Sequence, residues 1–264
     1  MEDLAIAYGF NKLPRQFKDL GPVGRPLAIN KLSDIVRIES AMAGWVEVMP
    51  LTLCSHDENF ADLNHEDDGS TVVKLANPKS AEYQVVRTTL IPGLMKTLRE
   101  NKHRHLPIKT FEVGDVVFKA PELERKARNE RHVAAAFCGK SSGFEVIQGL
   151  LDRLMLMLKS AFLIAEEGLQ LSEDWSGTDG GKQEEGLTEK RKVEIKVVKK
   201  NGYWIEESDD PMFFARHAAD IHLRLDGKEQ TVGHFGILHP AVLEKFEIKF
   251  PTSVMELNVE PFLR

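Results

Sequence analysis

The sequence predicts an α+β fold built on a largely antiparallel sheet, and three observations support this prediction. The stretch from Asn77 to Phe118 contains an amphipathic helix that leads directly into a strand. A second, strongly periodic helix begins at Gly143. Alternating strands resume at Val193, and Asp226-Gly227 is typical of a tight hairpin turn between two of them. This succession favours a sheet flanked by helices.

Length and composition indicate an ordinary globular protein of the cytoplasm. The 264 residues can bury a sizeable core as one large domain or two unequal ones. No apolar run reaches the roughly 18 residues of a membrane span, and the N-terminus carries acids where a signal peptide needs bases. Cys54 and Cys138 lack metal-ligand spacing, so we expect buried free thiols in a reducing compartment.

The helix after Asn77 has well-marked ends. Pro92 suits the first helical turn, where a missing N–H is tolerated. The basic run Lys102–His105 suits the negative end of the helix dipole, and Pro107 prevents continuation. Apolar residues recur at helical spacing, namely Ile91, Leu94, Met95 and Leu98. This pattern predicts an amphipathic helix.

The N-terminal part reads as an arriving segment followed by a second helix. Glu2–Tyr8 is typical of the end of a helix, which Gly9 would terminate. Residues 13–26 are typical of an extended linker. We expect the next helix to start at a cap, either Asn30 or Ser33, and to end at Gly44. Its core-facing side is expected to carry Leu32, Ile35, Val36 and Ala43.

An aromatic strand over Trp45–Leu53 is expected to follow that helix. Pro50 cannot donate to a sheet ladder, so this strand should lie at an edge or an interface. Residues 55–71 are acidic but lack the spacing of a calcium loop, and we interpret them as helix and loop.

The remaining elements are predicted from alternation and periodicity. The strand after Pro107 should contain Phe111 and Val113 and continue past a turn-like Gly114-Asp115. Residues 168–192 are rich in Gly, Glu and Ser, so we expect a mobile surface insertion. A short helix is expected over Ala241–Phe246. The other predicted strands are Val72–Leu75, His132–Cys138, Val193–Val198, Tyr203–Glu206, Ala219–Leu225, Thr231–Leu238 and Val254–Val259.

Known catalytic and nucleotide-binding motifs are absent from the sequence. There is no glycine-rich phosphate loop, no HExxH, no GxSxG and no cysteine pair. His239, directly before Pro240, is interpreted as a cap of the following helix. Asp220 and Glu112 are single acids on predicted strands without a partner that the sequence reveals, so no catalytic dyad is predicted.

Two basic clusters leave a choice between a solvated surface and a phosphate-contacting surface. The first lies on and after the helix at Pro92 and the second in a charged loop. Their members are Lys96, Arg99, Lys102, His103, Arg104 and His105, and Arg125, Lys126, Arg128 and Arg131. The net charge of −6 argues against a nucleic acid covering the whole surface.

Several segments, in order over nearly the whole chain, carry a family resemblance. AGWVEVMPLTL resembles motif 1 of class II aminoacyl-tRNA synthetases, an interface helix followed by a distorted strand. The chain more closely resembles the β-subunit family of cytosolic eukaryotic and archaeal phenylalanyl-tRNA synthetases. The matching segments are EDLAIAYGFN, INKLSDIVR, NPKSAEYQVVRTTLIPGLMKTLRENK, LPIKTFEVGDVV, GFEVIQGLLDRLM, GILHPAVLEKFEI and MELNVEPF.

The resemblance implies two parts of the chain and one role. Residues 1–27 would be the C-terminal remnant of a preceding B5-type domain with its linker. Residues 28–264 would form a degenerate, catalytic-like class II module. Such a module carries no catalytic or cofactor-binding residues, packs through its motif-1-like helix and strand, and assembles with the α subunit into an (αβ)2 heterotetramer. ATP would then bind to the α subunit, and tRNA(Phe) to the complex.

The resemblance also bears on individual residues. Lys119 stands where an active class II relative is expected to have the motif-2 arginine, and lysine does not replace a bidentate guanidinium on ATP phosphates. Arg87 lacks partner arginines and is interpreted as structural. Glu2 and Asp3 match the last two positions of a magnesium site that the family shares with the α subunit. The sequence alone offers only this partial site.

Three hypotheses therefore stand at this point. The first is a non-catalytic module that supports ATP-dependent attachment of phenylalanine to tRNA(Phe). The second is a self-sufficient class II enzyme. The third is an RNA-binding module that uses Lys96, Arg99, Lys102 and Arg104.

Overall fold

The protein is organised around one seven-stranded sheet. The structure is a computed structural model and describes residues 1–14, 21, 24–163, 170–171, 197–198 and 201–263. In order across the sheet the strands are β1 (Val46–Glu47), β4 (Ile108–Lys119), β5 (Ala127–Cys138), β11 (Thr252–Asn258), β10 (Lys228–Leu238), β9 (Phe213–Leu225) and β8 (Gly202–Glu207).

The predicted antiparallel α+β fold is confirmed, with one parallel pair. All neighbouring strands of the sheet run antiparallel except β1 and β4. Two smaller antiparallel pairs lie outside it, β2 (Leu53–Cys54) with β3 (Val85–Val86) and β6 (Gln170–Leu171) with β7 (Val197–Val198). The helices are α1 (Glu2–Tyr8), α2 (Ala28–Met42), α3 (His56–Asn59), α4 (Ile91–Glu100), α5 (Phe144–Met157) and α6 (Pro240–Lys245).

Helices cover both faces of the sheet and divide the core in two. Because alternate strand residues point to opposite faces, Met255 packs in one core and Val254 in the other. Helices α2 and α5 cover the first face, and α4 and α6 the second. We call these the α2/α5 face and the α4/α6 face.

The local predictions for α4, α5 and the hairpin are confirmed. Helix α4 has Pro92 in its first turn, and all four predicted apolar residues are buried. Gly143 precedes α5 with a positive φ of 70°. Asp226 and Gly227 both have positive φ in the turn between β9 and β10, as a two-residue type I′ turn requires. Among the described residues, none of the helices combines the length and apolarity needed to cross a bilayer.

The predicted start of α2 was wrong, whereas its end was right. The helix begins at Ala28 with Leu27 at the cap position. Ser33 instead lies inside the helix, where its hydroxyl donates to the carbonyl of Ile29 at 2.8 Å. Gly44 follows the helix with φ of +83°, a conformation that favours glycine.

Three strand predictions need correction. The expected strand over Trp45–Leu53 forms only β1 and β2, because the chain leaves the ladder after Val48 donates to the carbonyl of Phe111 and Pro50 has no N–H. The expected strand over Val72–Leu75 is reduced to one bridge at Lys74. The turn expected at Gly114-Asp115 does not exist, since both residues pair in register with β5.

The other strand predictions are confirmed, most with wider bounds. β5 starts at Ala127 instead of His132, and β9 at Phe213 instead of Ala219. The expected insertion at 168–192, apart from Gln170–Leu171, and the expected strand at Val193–Val198, apart from its last two residues, lie outside the described residues.

Candidate functional site

A buried polar cluster lies on the α4/α6 face of the sheet. Glu112 on β4 and Glu256 on β11 both pair in register with Ala134 on β5. Ala134 belongs to the α4/α6 core, so the two carboxylates lie on the same face with only a methyl group between them. Both glutamates are about 3% exposed. Such a burial of two acids requires basic or hydrogen-bonding partners.

Arg87 is the partner of Glu112. Its Nη1 lies 2.7 Å from Glu112 Oε1, and its Nε donates to the carbonyl of Asp115 at 3.0 Å. Gly114 makes room for this pair, because an added Cβ would lie 2.5 Å from Arg87 Nη2. Burial raises the pKa of Glu112 to about 7, although the Arg87 guanidinium opposes the shift. The sequence reveals no partner for Glu112, and the structure shows that Arg87 is its partner.

His132 and the start of α4 are the partners of Glu256. His132 Nδ1 lies 2.7 Å from Glu256 Oε1, and Glu256 also accepts from the hydroxyl of Thr89 and from the backbone N–H of Leu90. Burial alone would raise the pKa of Glu256, but the hydrogen bond from His132 holds it below its usual range. Burial alone would lower the pKa of His132, but Glu130 and Glu256 raise it to about 9.

These contacts commit the buried charges to one another. Class II chemistry needs a guanidinium that is free to hold phosphates. The Arg87 guanidinium instead contacts the Glu112 carboxylate and the carbonyl of Asp115. Lys119, at the position expected for the motif-2 arginine, donates to the carbonyl of Gly69 at 2.7 Å. The arrangement is suited to holding β4, β5, β11 and α4 together.

A cavity of about 400 Å³ opens beside the polar cluster. It lies between residues 59–71 and β10, and Thr89 and His234 form part of its wall. Within the described part of the chain, no lysine or arginine lines this cavity. Its wall therefore offers no strong cationic partner for a triphosphate.

The proposed magnesium ligands lie on the first turn of α1. Glu2 and Asp3 are exposed, and no residue of α1 is buried. Adjacent residues on a helix do not face each other, and the described residues contain no group of three or more possible metal ligands. These two carboxylates therefore do not fit a magnesium site by themselves. Acids in a first turn also stabilise a helix, because they interact favourably with the positive end of its dipole.

Helix α2 carries a second apolar surface that faces away from the core. Its inner side buries Val36 together with Ser33 and Ser40. On the outer side Ile38 is 61% exposed and Met42 73% exposed. Other exposed apolar residues lie on the same helix or in the segments directly before and after it, and these are Leu27, Ile35, Val46, Met49 and Leu51. We call this set the α2 outer face; apolar surface of this kind marks an interaction site.

The sequence had shown only part of the α2 outer face. It predicted an interface strand from Trp45 and Pro50, but it placed Ile35 among the core-facing residues, whereas Ile35 is exposed. The signal that was available is the spacing of Ile35, Ile38 and Met42 at i, i+3 and i+7, a second stripe on an already amphipathic helix.

Five of the ten residues in the two basic clusters have an acidic partner in the described part of the chain. Lys96 Nζ lies 3.0 Å from Glu58 Oε2, Arg99 Nε 3.1 Å from Glu100 Oε1, and Lys102 Nζ 3.9 Å from Glu247 Oε2. In the second cluster, Arg128 pairs with Glu130 and Arg131 with Asp115. His239 caps α6 by accepting the N–H of Ala241, which confirms its prediction.

Comparison with solved structures defines the class of fold. Two structures of pyrrolysyl-tRNA synthetase from Desulfitobacterium hafniense are similar, each with a TM-score of 0.58 and 14% identity. The first match covers 89% of this chain and 68% of that one. The chain therefore has the fold of a class II aminoacyl-tRNA synthetase module, as predicted.

Sequence comparison defines the family within that class. The family model of the phenylalanyl tRNA synthetase beta chain CLM domain matches residues 13–259. The chain is 47% identical to the phenylalanine–tRNA ligase beta subunit of Saccharomyces cerevisiae, over 100% of this chain and 40% of that protein. The Schizosaccharomyces pombe subunit is 46% identical, and the match covers 98% of this chain and 39% of that protein. The human subunit is 36% identical, and the match covers 100% of this chain and 38% of that protein. The chain belongs to this family and spans about two fifths of these relatives' length.

Proposed function

We propose that the chain is the non-catalytic, class II-like module of a phenylalanine–tRNA ligase beta subunit in the cytoplasm. It assembles with an alpha subunit into an (αβ)2 tetramer, which attaches phenylalanine to tRNA(Phe) with ATP. The observation that carries this proposal is the α2 outer face, with Ile38, Met42 and Met49 exposed by 61%, 73% and 85%. Obligate interfaces are apolar in this way.

The polar cluster supports the non-catalytic part of this proposal. Arg87 is paired with Glu112 and donates to the carbonyl of Asp115. His132 is paired with Glu256, which also accepts the N–H of Leu90. ATP and its magnesium would bind to the alpha subunit. Glu2 and Asp3 would contribute to a metal site only together with ligands from outside this chain.

The domain division goes with this proposal. Residues 1–27 would belong to a preceding domain and its linker, and residues 28–264 to the class II-like module. Because α1 has no buried residue, we expect this helix to pack against a part of the protein other than the class II-like module.

Phenylalanine-dependent exchange of pyrophosphate into ATP tests the proposal. We expect no exchange by the chain alone and exchange when a matching alpha subunit is added. Exchange by the chain alone would show a self-sufficient enzyme and overturn the proposal. The RNA-binding alternative through Lys96, Arg99, Lys102 and Arg104 is weakened by the ion pairs of the first three.

A further inference from the structure

A second cavity, of about 390 Å³, is lined by basic side chains. It lies between the last turn of α4, the loop over residues 101–107, and the starts of β1 and β4. Arg104, His105 and Lys109 line it, and no acidic side chain does so among the described residues. We call it the basic cavity. Its charge makes it complementary to an anion.

A buried hydroxyl in the wall of the basic cavity has no partner. Thr110 is 5% exposed, and within the described part of the chain its Oγ1 makes no hydrogen bond. Its neighbour Phe111 packs in the α2/α5 core, so strand alternation places Thr110 on the opposite face, toward α4. A buried polar atom without a partner is costly, and a ligand in the cavity would satisfy this one.

Several carbonyls at the helix end that borders the cavity accept hydrogen bonds. Asn101 donates to the carbonyl of Thr97 through both its backbone N–H and its side-chain amide, at 3.2 and 2.9 Å. The carbonyl of Arg99 accepts from Lys102, and that of Asn101 accepts from Arg104. These bonds occupy the acceptors that would otherwise make a helix C-terminus negative.

Two basic groups of the cavity differ from the neighbouring Lys96, Arg99 and Lys102. Lys96, Arg99 and Lys102 have acidic partners, whereas the structure shows no ion pair for Arg104 or His105 in the part of the chain it describes. Strand alternation places the Lys109 side chain with Phe111 on the α2/α5 face, where its Nζ atom lies 5.9 Å from the ring centroid of the buried Trp45. Lys109 therefore adds positive charge near the cavity without donating into it.

We propose that the basic cavity binds a phosphate group. A guanidinium, an imidazole and a hydroxyl can all donate to phosphate oxygens. The cavity is larger than one phosphate, so a larger molecule can carry the group. That molecule is either RNA, through its backbone, or a small phosphate compound. Val46 belongs to both the α2 outer face and the wall of the basic cavity. The tests below therefore use the chain without an alpha subunit, so that loss of phosphate binding and loss of assembly are measured separately.

Calorimetric titration of the whole chain with inorganic phosphate, at constant ionic strength, tests the site. Arg104→Gln should weaken phosphate binding about tenfold. Thr110→Val keeps the side-chain volume and should also weaken binding, with a melting temperature no lower than that of the wild type. The matched control is Lys228→Gln, which removes a charge from an exposed residue of the β9–β10 hairpin.

Anisotropy of a labelled tRNA(Phe) transcript at several salt concentrations identifies the source of the phosphate. If RNA is the ligand, Arg104→Gln lowers the slope of log affinity against log salt by about 1, and Lys228→Gln does not. If Arg104→Gln weakens the binding of inorganic phosphate but leaves the binding of RNA unchanged, the ligand is a small phosphate compound. If Arg104→Gln and Thr110→Val bind both probes as Lys228→Gln does, or the wild type binds neither, the proposal is wrong.

Discussion

Glu112 and Glu256 flank Ala134 from the two neighbouring strands, and each carboxylate has its own basic partner, Arg87 and His132. The two ion pairs join three strands to the segment that leads into α4. The buried charged groups of the α4/α6 face bind one another, which indicates a structural role for them.

Removal of Arg87 should be far more harmful than removal of the whole pair. Arg87→Met leaves the buried Glu112 carboxylate without its partner and should lower the free energy of unfolding by about 3–5 kcal/mol. The double variant Arg87→Met/Glu112→Leu should recover most of that loss. Urea titrations of the wild type, both single variants and the double variant give the coupling energy. A double variant less stable than Arg87→Met would contradict the account.

Stability should fall as pH rises from about 6.5 to about 9. The pKa of His132 is raised from 6.5 to about 9 by its carboxylate partners, so the folded state holds a proton that the unfolded state has lost within this window. The contribution of His132 is fully present below pH 6.5 and lost above pH 9. Burial raises the pKa of Glu112 from 4.5 to about 7, which gives a fall of the same sign between these values.

Thermal or urea unfolding at a series of pH values measures this slope. His132→Gln should flatten the slope between pH 6.5 and 9, and the exposed His103→Gln is the matched control. A His132→Gln variant with the wild-type slope would show that this histidine does not carry the linkage.

Two glycine-to-alanine substitutions should change the free energy of unfolding in opposite directions. At Gly114 the new Cβ would lie 2.5 Å from Arg87 Nη2 and 2.8 Å from Glu112 Oε1, so the pair must shift at a cost of about 1–3 kcal/mol. At Gly149, inside α5, no atom lies within 4 Å of the new Cβ, and alanine should stabilise the helix by about 0.5–1 kcal/mol. Urea unfolding compares them. Equal effects at both positions would exclude crowding of Arg87 as the reason for Gly114.

The sequence predicted the features whose causes are local. Helix α4 was found because Pro92 and its apolar spacing lie within ten residues of each other, and the β9–β10 turn because Asp226-Gly227 supplies the required φ angles. Gly114 was misread for an instructive reason. A glycine next to an aspartate is typical of a turn, but here it provides space for a guanidinium from another segment.

The polar cluster could not have been predicted in the same way. Glu112, His132 and Glu256 meet only because β5 lies between β4 and β11, and Arg87 reaches them from the segment before α4. The sequence contains the residues but not the order of the strands. The α2 outer face could have been recognised, since its stripe is local, but the core-facing stripe of the same helix concealed it.

We expect assembly to use the α2 outer face, in which Ile38 and Met42 are 61% and 73% exposed. The variant Ile38→Lys/Met42→Lys places two charges there. Because both side chains are exposed, we expect each change to alter the free energy of unfolding by no more than about 0.5 kcal/mol. Gln230→Lys, at an exposed position on β10, is the control for added charge.

Sedimentation velocity of the chain mixed with a matching phenylalanine–tRNA ligase alpha subunit tests this claim most directly. We expect the wild type and Gln230→Lys to sediment as a complex with the alpha subunit, and Ile38→Lys/Met42→Lys to sediment at the rate of the free chain. A complex of unchanged size and affinity with the double variant would contradict the account.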